Sequence, residues 1–201
     1  MPNMNYPEGM LPHIQQVFNN EYAIPGYTKV DPVILDIGAN VGAFAIWAFT
    51  KWPEATIHCY EPNPSNFEYL RSNLESIYPT KKYILHNVAV GDPDHNKLFL
   101  GKHNCGECSF FQLGEQTDSF IPVITISPKE LPEANILKMD TEGSELNIVE
   151  GLNVNLFDVV TFEYHRESDR RDLDLHLIEF DLVHGFIRCK DRGVLSYLKK
   201  S

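Results

Sequence analysis

The stretch VILDIGANVG (residues 33–42) is the part of this sequence that decides its fold. Its first five residues are branched and apolar except for Asp36, which is typical of a strand buried on both faces. Gly38 can take a backbone conformation closed to other residues, and Gly42 lets the next helix approach the sheet closely. A strand, a glycine turn and a helix in this order predict a doubly wound α/β sheet that binds a ligand at the turn.

The segments on both sides of this stretch alternate between strands and helices. The last two strands are too close in sequence for a parallel crossover, so they must be antiparallel. We therefore predict a three-layer, Rossmann-like α/β fold whose seven-stranded sheet is mostly parallel, with an antiparallel edge. The predicted helices are Leu11–Tyr22, Ala43–Trp52, Asn66–Ile77, Ser144–Glu150 and Arg171–His184, and the predicted strands are Val33–Ile37, Ala55–Tyr60, Lys82–Val90, Ile136–Met139, Val159–Tyr164, Phe186–Lys190 and Val194–Leu198.

The chain of 201 residues is predicted to form a single domain, because its length suits one buried core. Residues 1–30 are interpreted as an N-terminal helical segment. Residues 96–126 interrupt the alternation with short strand-like pieces separated by turns, which indicates an inserted β-hairpin region. Those pieces are Lys97–Leu100, Ser109–Leu113 and Pro122–Ile126.

Composition and charge exclude several classes of protein. Twenty-eight acidic and seventeen basic side chains give a formal net charge of -11, which opposes binding to nucleic acid. Four cysteines do not make a disulfide scaffold, and the longest apolar stretch, Ala43–Phe49, is far shorter than the roughly 20 residues that span a bilayer. The N-terminus lacks the basic start and apolar core of a secretory signal. We expect a cytoplasmic protein without nucleic-acid or membrane partners, in an oligomeric state that the sequence leaves open.

The acidic residues near the glycine turn indicate which cofactor binds there. Glu61 ends the second strand, where a carboxylate can accept hydrogen bonds from both hydroxyls of a ribose. Asn40 stands where a dinucleotide fingerprint has its second glycine, which disfavours an NAD-dependent oxidoreductase. Asp36 is expected to point into the cleft, where it would repel a pyrophosphate but suit an ammonium group. These charges favour S-adenosylmethionine.

Five motifs in order resemble the FkbM family of S-adenosylmethionine-dependent methyltransferases, over about residues 33–165. The resemblance implies the class I methyltransferase fold and methylation of a hydroxyl group on a small molecule or a saccharide. The motifs are ILDIGANVGAF (34–44), YEPNP (60–64), HNVAVGD (86–92), LKMDTEGSELNIVEG (137–151) and FEYH (162–165).

The resemblance also implies which residues surround S-adenosylmethionine. The glycine turn would enclose its methionine part, the end of the second strand would hold its ribose, and the residues after the third strand would lie along its adenine. In that order these residues are Asp36, Gly38, Ala39, Asn40 and Gly42, then Glu61 with Pro62 and Asn63, then Asn87, Val88 and Ala89.

Four polar residues that follow the fourth and fifth strands are the candidate catalytic groups. Asp140 and Glu142 follow one strand and Glu163 and His165 the next, so all four should lie near the transferred methyl group. A hydroxyl nucleophile needs a base within hydrogen-bond reach, and His165 has the most suitable ordinary pKa. Asp140 could instead face the amino group of the cofactor, which would leave Glu142 toward the acceptor.

Two alternatives remain open for this cluster. Acids and a histidine could hold a divalent metal such as magnesium, which would acidify the acceptor hydroxyl. The domain could also bind S-adenosylmethionine without catalysis. Cys105 and Cys108 are interpreted as incidental loop thiols, because zinc would need two further ligands.

Overall fold

The structure is a computed structural model that describes residues 1–100, 109 and 119–200. Cys105, Cys108 and most of the predicted piece Ser109–Leu113 lie outside the described residues. The helices are α1 (Leu11–Phe18), α2 (Ala43–Lys51), α3 (Pro64–Ile77), α4 (Glu145–Glu150) and α5 (Glu167–His176). The strands are β1 (Val33–Ile37), β2 (Thr56–Tyr60), β3 (Lys82–His86), β4 (Ala89–Val90), β5 (Lys97–Phe99), β6 (Phe120–Pro122), β7 (Thr125–Ile126), β8 (Ile136–Met139), β9 (Val159–Tyr164), β10 (Phe180–Cys189) and β11 (Arg192–Lys199).

Seven of these strands form one sheet, in the order β10-β11-β9-β8-β1-β2-β3. β11 is antiparallel to both of its neighbours, and every other pair in the sheet is parallel. The predicted fold class is confirmed, with the antiparallel strand one position inside the edge that β10 forms. In the parallel register Ile37 lies beside both Tyr60 and Met139, so the carboxyl ends of β1, β2 and β8 meet at one edge of the sheet.

Apolar side chains cover both faces of the sheet and give the fold three layers. Ile34 and Ile57 belong to the core that includes α1, α2 and α3, whereas Leu35 and Leu137 belong to the core under α4 and α5. The alternation follows from the strand period of two residues. It confirms that the central strand is buried on both faces.

The last predicted helix, Arg171–His184, is wrong in its second half. Helix α5 ends at His176, and β10 already begins at Phe180. The apolar spacing of Leu173, Leu177 and Phe180 is helical, but the Phe180 amide closes a turn onto the Leu177 carbonyl at 2.9 Å. The chain then continues as a strand because β11 offers it a long antiparallel ladder.

Two other predicted elements end earlier than expected. Helix α1 stops at Phe18 rather than Tyr22, because Asn20 has a left-handed backbone with φ of 64°. The third strand leaves the main sheet after His86, where Asn87 turns its side-chain amide onto the Glu61 carbonyl at 2.8 Å. The following strand, β4, pairs with β7 in a separate two-stranded sheet.

Strands β5 and β6 pair antiparallel within the region predicted as an insertion, and Ser109 bridges to Phe99. Each helix that the structure describes is too short or too polar to span a bilayer.

Candidate active site

A cavity opens at the edge of the sheet where the carboxyl ends of β1, β2, β8 and β9 meet. Ten of the predicted site residues line it: Gly38, Ala39, Asn40, Glu61, Pro62, Val88, Ala89, Asp140, Glu142 and Glu163. The other five, Asp36, Gly42, Asn63, Asn87 and His165, do not line it. The expected ligand-binding turn and the expected acids are therefore brought together in one cavity.

The glycine turn is folded tightly between β2 and the chain that follows β8. Gly38 has a φ of 78°, and a Cβ atom there would lie 1.8 Å from the Asp140 carbonyl oxygen. The Gly38 and Ala39 amides both donate to the Tyr60 carbonyl at 3.0 Å. Gly42 has a φ of 88° and packs against Leu70 of α3. The turn thus depends on glycine for both its conformation and its packing.

Substituting Gly38 by alanine is expected to lower the free energy of unfolding by at least about 2 kcal/mol, since the side chain brings strain and a backbone clash. Gly26→Ala is a matched control, because Gly26 also has a positive φ but a Cβ there would meet only Leu198 at 3.6 Å. Urea unfolding of both variants measures the difference. Equal losses in the two variants would show that the clash with Asp140 is relieved at no cost.

Glu61 is held in place at the end of β2 by two backbone amides. Its Oε2 atom accepts from the Asn40 amide and its Oε1 atom from the Asn63 amide, each at 2.8 Å. Burial raises the pKa of Glu61 to about 7, although both hydrogen bonds lower it. Asn63 therefore contacts the side-chain carboxylate of Glu61, and Asn87 contacts its backbone carbonyl. Both asparagines act on the cavity through Glu61.

Asp36 does not point into the cavity, which corrects the expectation from the sequence. It is completely buried and forms an ion pair with Lys138 of β8, with 2.9 Å between Oδ1 and Nζ. The Lys138 ammonium also donates to the Gly38 carbonyl at 2.7 Å. Burial raises the pKa of Asp36, and Lys138 opposes this rise. The sequence signal for this pair was a lysine inside the apolar strand ILKM, since a buried charge requires a partner.

The acids at the carboxyl ends of β8 and β9 form a network with two arginines that the sequence did not predict. Arg192 donates from Nε to Glu163 at 2.7 Å and from Nη2 to Glu142 at 3.2 Å. Arg188 joins Glu163 to Glu21 through its two terminal nitrogens. Both arginines lie on the β10–β11 pair, and no local pattern in the sequence connects them to these acids.

His165 lies among three carboxylates that favour its protonated form. Its Nε2 atom lies 3.0 Å from a Glu142 oxygen, and Glu145 and Glu163 oxygens lie within 3.7 Å of the ring. Burial lowers the pKa of His165, but these carboxylates outweigh burial and raise it to about 10. The surrounding carboxylates thus move the pKa of His165 away from the ordinary value on which its choice as the base rested.

Glu163 and Asp140 differ in protonation although they lie close together. Burial, reinforced by the charge of Asp140, raises the pKa of Glu163 to about 7. Burial also acts on Asp140, but Lys138 and His165 outweigh it and lower the pKa of this carboxyl. At neutral pH, Asp140 is thus ionised, and Glu163 is poised to take up or release a proton.

Asp140, Glu163 and His165 place one ligand atom each within 4.8 Å of one another, as a metal site would. Arg188 and Arg192 already contact the Glu163 carboxylate, so a divalent cation in this cluster would have to share that carboxylate with two guanidinium groups.

The N-terminal segment supplies a wall of the cavity that the sequence analysis did not anticipate. Glu21 is buried and contacts Arg188, and the Tyr22 hydroxyl donates to Asp140 Oδ2 at 3.0 Å. No motif marks these residues, because their partners are more than a hundred positions away. The residues that line the cavity from this segment are His13, Ile14, Val17, Glu21 and Tyr22.

The sheet order, the antiparallel β11 and the glycine turn after β1 together define a class I methyltransferase fold. Residues 36–188 match the methyltransferase FkbM domain family, and the chain belongs to this family.

Two curated relatives indicate the chemistry found in related proteins. The hexuronic acid methyltransferase AglP of Haloferax volcanii is 28% identical over 162 residues, which are 76% of this chain and 64% of AglP. The 2-O-methyltransferase NoeI of Sinorhizobium fredii is 27% identical over 198 residues, which are 83% of this chain and 79% of NoeI. The chain thus spans less than two thirds of the length of AglP.

Solved structures share the fold. The FkbM methyltransferase of Methylobacillus flagellatus KT superposes with a TM-score of 0.62 at 17% identity, covering 88% of this chain and 46% of that chain. TYW2 of M. jannaschii, solved in complex with AdoMet, superposes with a TM-score of 0.52 at 13% identity, covering 98% of this chain and 78% of that one.

Proposed function

We propose that this chain transfers the methyl group of S-adenosylmethionine to a hydroxyl group of a saccharide or another small hydroxylated molecule. The observation that carries the proposal is a single cavity that joins the glycine turn and Glu61 to a carboxylate of raised pKa, Glu163. The first two suit a nucleoside-containing methyl donor, and the third suits the removal of a hydroxyl proton.

The residues around the turn fit the methyl donor. The Glu61 carboxylate is fixed by the Asn40 and Asn63 amides, as a group that receives ribose hydroxyls should be. Val88 and Ala89 line the same cavity with apolar surface suited to adenine. S-adenosylmethionine supplies an electrophilic methyl group on a sulfonium.

Glu163 is the residue that we assign as the proton acceptor. Methyl transfer is an in-line displacement, so aligning the acceptor oxygen is a large part of catalysis. An oxygen–carbon bond forms, the sulfur–carbon bond breaks, and the hydroxyl proton passes to the Glu163 carboxylate. Arg188 and Arg192 hold the Oε1 atom of that carboxylate and fix its direction.

The names of the relatives support the class of acceptor. AglP is named for hexuronic acid and NoeI for 2-O-methylation, and both names fit a sugar hydroxyl as acceptor. The formal net charge of -11 and the acids around the cavity argue against a nucleic-acid acceptor. We place the reaction in the cytoplasm, as expected from the composition.

Calorimetric titration with S-adenosylmethionine, S-adenosylhomocysteine and NAD tests the proposal. We expect micromolar binding of the first two ligands, no binding of NAD, and the same affinities in chelator and in magnesium. Radiolabelled methyl transfer to a panel of glycosides, uronic acids and an oligonucleotide then identifies the acceptor. A folded protein that binds neither adenosylated ligand would overturn the proposal.

A further inference from the structure

Strand β10 is the longest strand of the main sheet and forms one of its two edges. It covers the ten residues Phe180–Cys189, and among the described residues only β11 pairs with it. A second strand can therefore bind to its outer row of backbone amides and carbonyls. Proteins protect such edges by keeping them short or by placing lysines on them. The opposite edge, β3, has both features, since it has five residues and begins at the exposed Lys82. β10 has neither.

Exposed apolar side chains are concentrated beside this edge. Leu182 and Ile187 of β10 are 56% and 60% exposed. Leu175, in α5, and Ile178, two residues after the end of that helix, are 71% and 65% exposed. Single exposed apolar residues are normal on a protein surface, but four of them within residues 175–187, next to an unpaired strand, indicate a contact surface.

The two exposed side chains of β10 project from the same face of the sheet. The register of β10 on β11 skips two bulged residues, so Phe180, Leu182, Gly185 and Ile187 occupy alternate positions of the ladder. Phe180 is buried in the core under α4 and α5, and a Cβ atom at Gly185 would lie 4.0 Å from the Ile187 side chain. Leu182 and Ile187 thus share the face of Phe180, each two ladder positions from Gly185.

This spacing makes the edge complementary to a second copy of itself. If two β10 strands pair antiparallel about a two-fold axis through Gly185, Leu182 lies opposite Ile187 of the partner subunit on the same face. The same contact is made a second time on the other side of the axis. Gly185, which has no side chain, lies opposite its own copy. Shifting the register by two positions in either direction would place one of the two apolar side chains opposite glycine.

We propose that the chain forms a homodimer in which β10 pairs with β10 of a second copy about a two-fold axis at Gly185. The two seven-stranded sheets then become one continuous sheet. Backbone hydrogen bonds along the edge supply the pairing, and the two contacts between Leu182 and the partner's Ile187 supply apolar burial and fix the register. This inference does not depend on the proposed function, because Leu182, Gly185 and Ile187 do not line the cavity.

Charge substitutions test the interface by sedimentation equilibrium. We expect the wild-type chain to be a dimer at micromolar concentration. Leu182→Lys or Ile187→Glu should raise the dissociation constant of the dimer by at least about 100-fold, because each change occurs twice in a two-fold interface. Combining Leu182→Lys with Ile187→Glu should recover at least about tenfold of that loss, since the lysine of each copy then faces the glutamate of the other. Leu182→Lys with Ile187→Lys is the matched control and should stay monomeric.

Cysteine cross-linking tests the register. Gly185→Cys should form a disulfide between the two copies under mild oxidation, because residues opposite each other in an antiparallel pair have the Cα separation of a disulfide. A Cβ atom at Gly185 has room, since its nearest neighbour is the Leu195 side chain at 3.4 Å. Lys82→Cys, at the exposed start of β3, is the matched control and should not cross-link. Both variants are made in a chain with serine at positions 105, 108 and 189.

Three results would each overturn the proposal. The first is a wild-type chain that remains monomeric up to submillimolar concentration. The second is a dimer that persists in Leu182→Lys, which would place the interface elsewhere on the surface. The third is a dimer in which Gly185→Cys does not cross-link, which would exclude pairing about this axis. Leu182 and Ile187 are exposed in the single chain, so their substitution is expected to leave the fold intact.

Discussion

Replacing Lys138 by methionine is expected to lower the free energy of unfolding by about 3–5 kcal/mol, because it leaves Asp36 buried without its cation. Both side chains are almost completely inaccessible, and the ion pair is short at 2.9 Å. The substitution also removes the hydrogen bond from the ammonium to the Gly38 carbonyl, which lies in the glycine turn. We therefore expect weaker binding of S-adenosylhomocysteine along with the loss of stability.

The pH dependence of this loss identifies its cause. Burial raises the pKa of Asp36, and without Lys138 nothing opposes that rise from the same distance. The folded variant then binds a proton more readily than the unfolded chain, so its stability rises as the pH falls. Urea unfolding at pH 7 and pH 5 should show a smaller deficit at pH 5. Lys129→Met, at an exposed lysine, is the control, and a deficit that does not change with pH would contradict the explanation.

A second substitution separates the ion pair from the packing around it. Removing both charges, in Asp36→Asn with Lys138→Met, leaves no unpaired buried charge, so the double variant should be more stable than Lys138→Met alone. Its deficit should also be nearly independent of pH. A double variant as unstable as the sum of the two single variants would show that the two residues contribute independently.

The parts of the site that the sequence predicted are local. The glycine turn and Glu61 each come directly after a stretch whose apolar pattern by itself predicts a strand. Their position in the sequence was therefore enough to place them at the carboxyl ends of the strands. The same holds for Asp140 and Glu163. The fold class was predicted for the same reason, because each strand and helix of the alternation has its own pattern.

The parts that the sequence did not predict depend on distant partners. Asp36 seemed free to face a ligand because Lys138, which neutralises it, lies on another strand. The pKa of His165 is raised to about 10 by nearby carboxylates, among them Glu142, which comes from a different part of the chain. The ordinary pKa of a histidine side chain does not predict this rise. Arg188 lies within the predicted strand Phe186–Lys190, but its partner Glu21 lies near the other end of the chain. The sequence pattern around Arg188 therefore could not predict this contact.

Replacing Glu163 by glutamine is expected to lower kcat by about 100- to 10,000-fold, the usual contribution of a general base. The side chain keeps its shape and its hydrogen bonds with Arg188 and Arg192 in part, so S-adenosylhomocysteine should bind within about threefold of wild type. Glu68→Gln, on the exposed surface of α3, is the matched control and should retain full activity. Loss of cofactor binding in step with turnover would show that Glu163 supports the cavity rather than the chemistry.

The pH profile of the wild-type enzyme distinguishes Glu163 from His165 as the base. A base acts in its deprotonated form, so kcat/KM should rise with pH and level off above the pKa of the residue responsible. Burial and Asp140 raise the pKa of Glu163 to about 7, whereas the surrounding carboxylates raise that of His165 to about 10. We therefore expect kcat/KM to be half-maximal near pH 7 and to level off above that pH, and the residual rate of Glu163→Gln to lack this step. A profile that is half-maximal only near pH 10 would assign the proton to His165, because only deprotonation of its imidazolium would then release a base in this network.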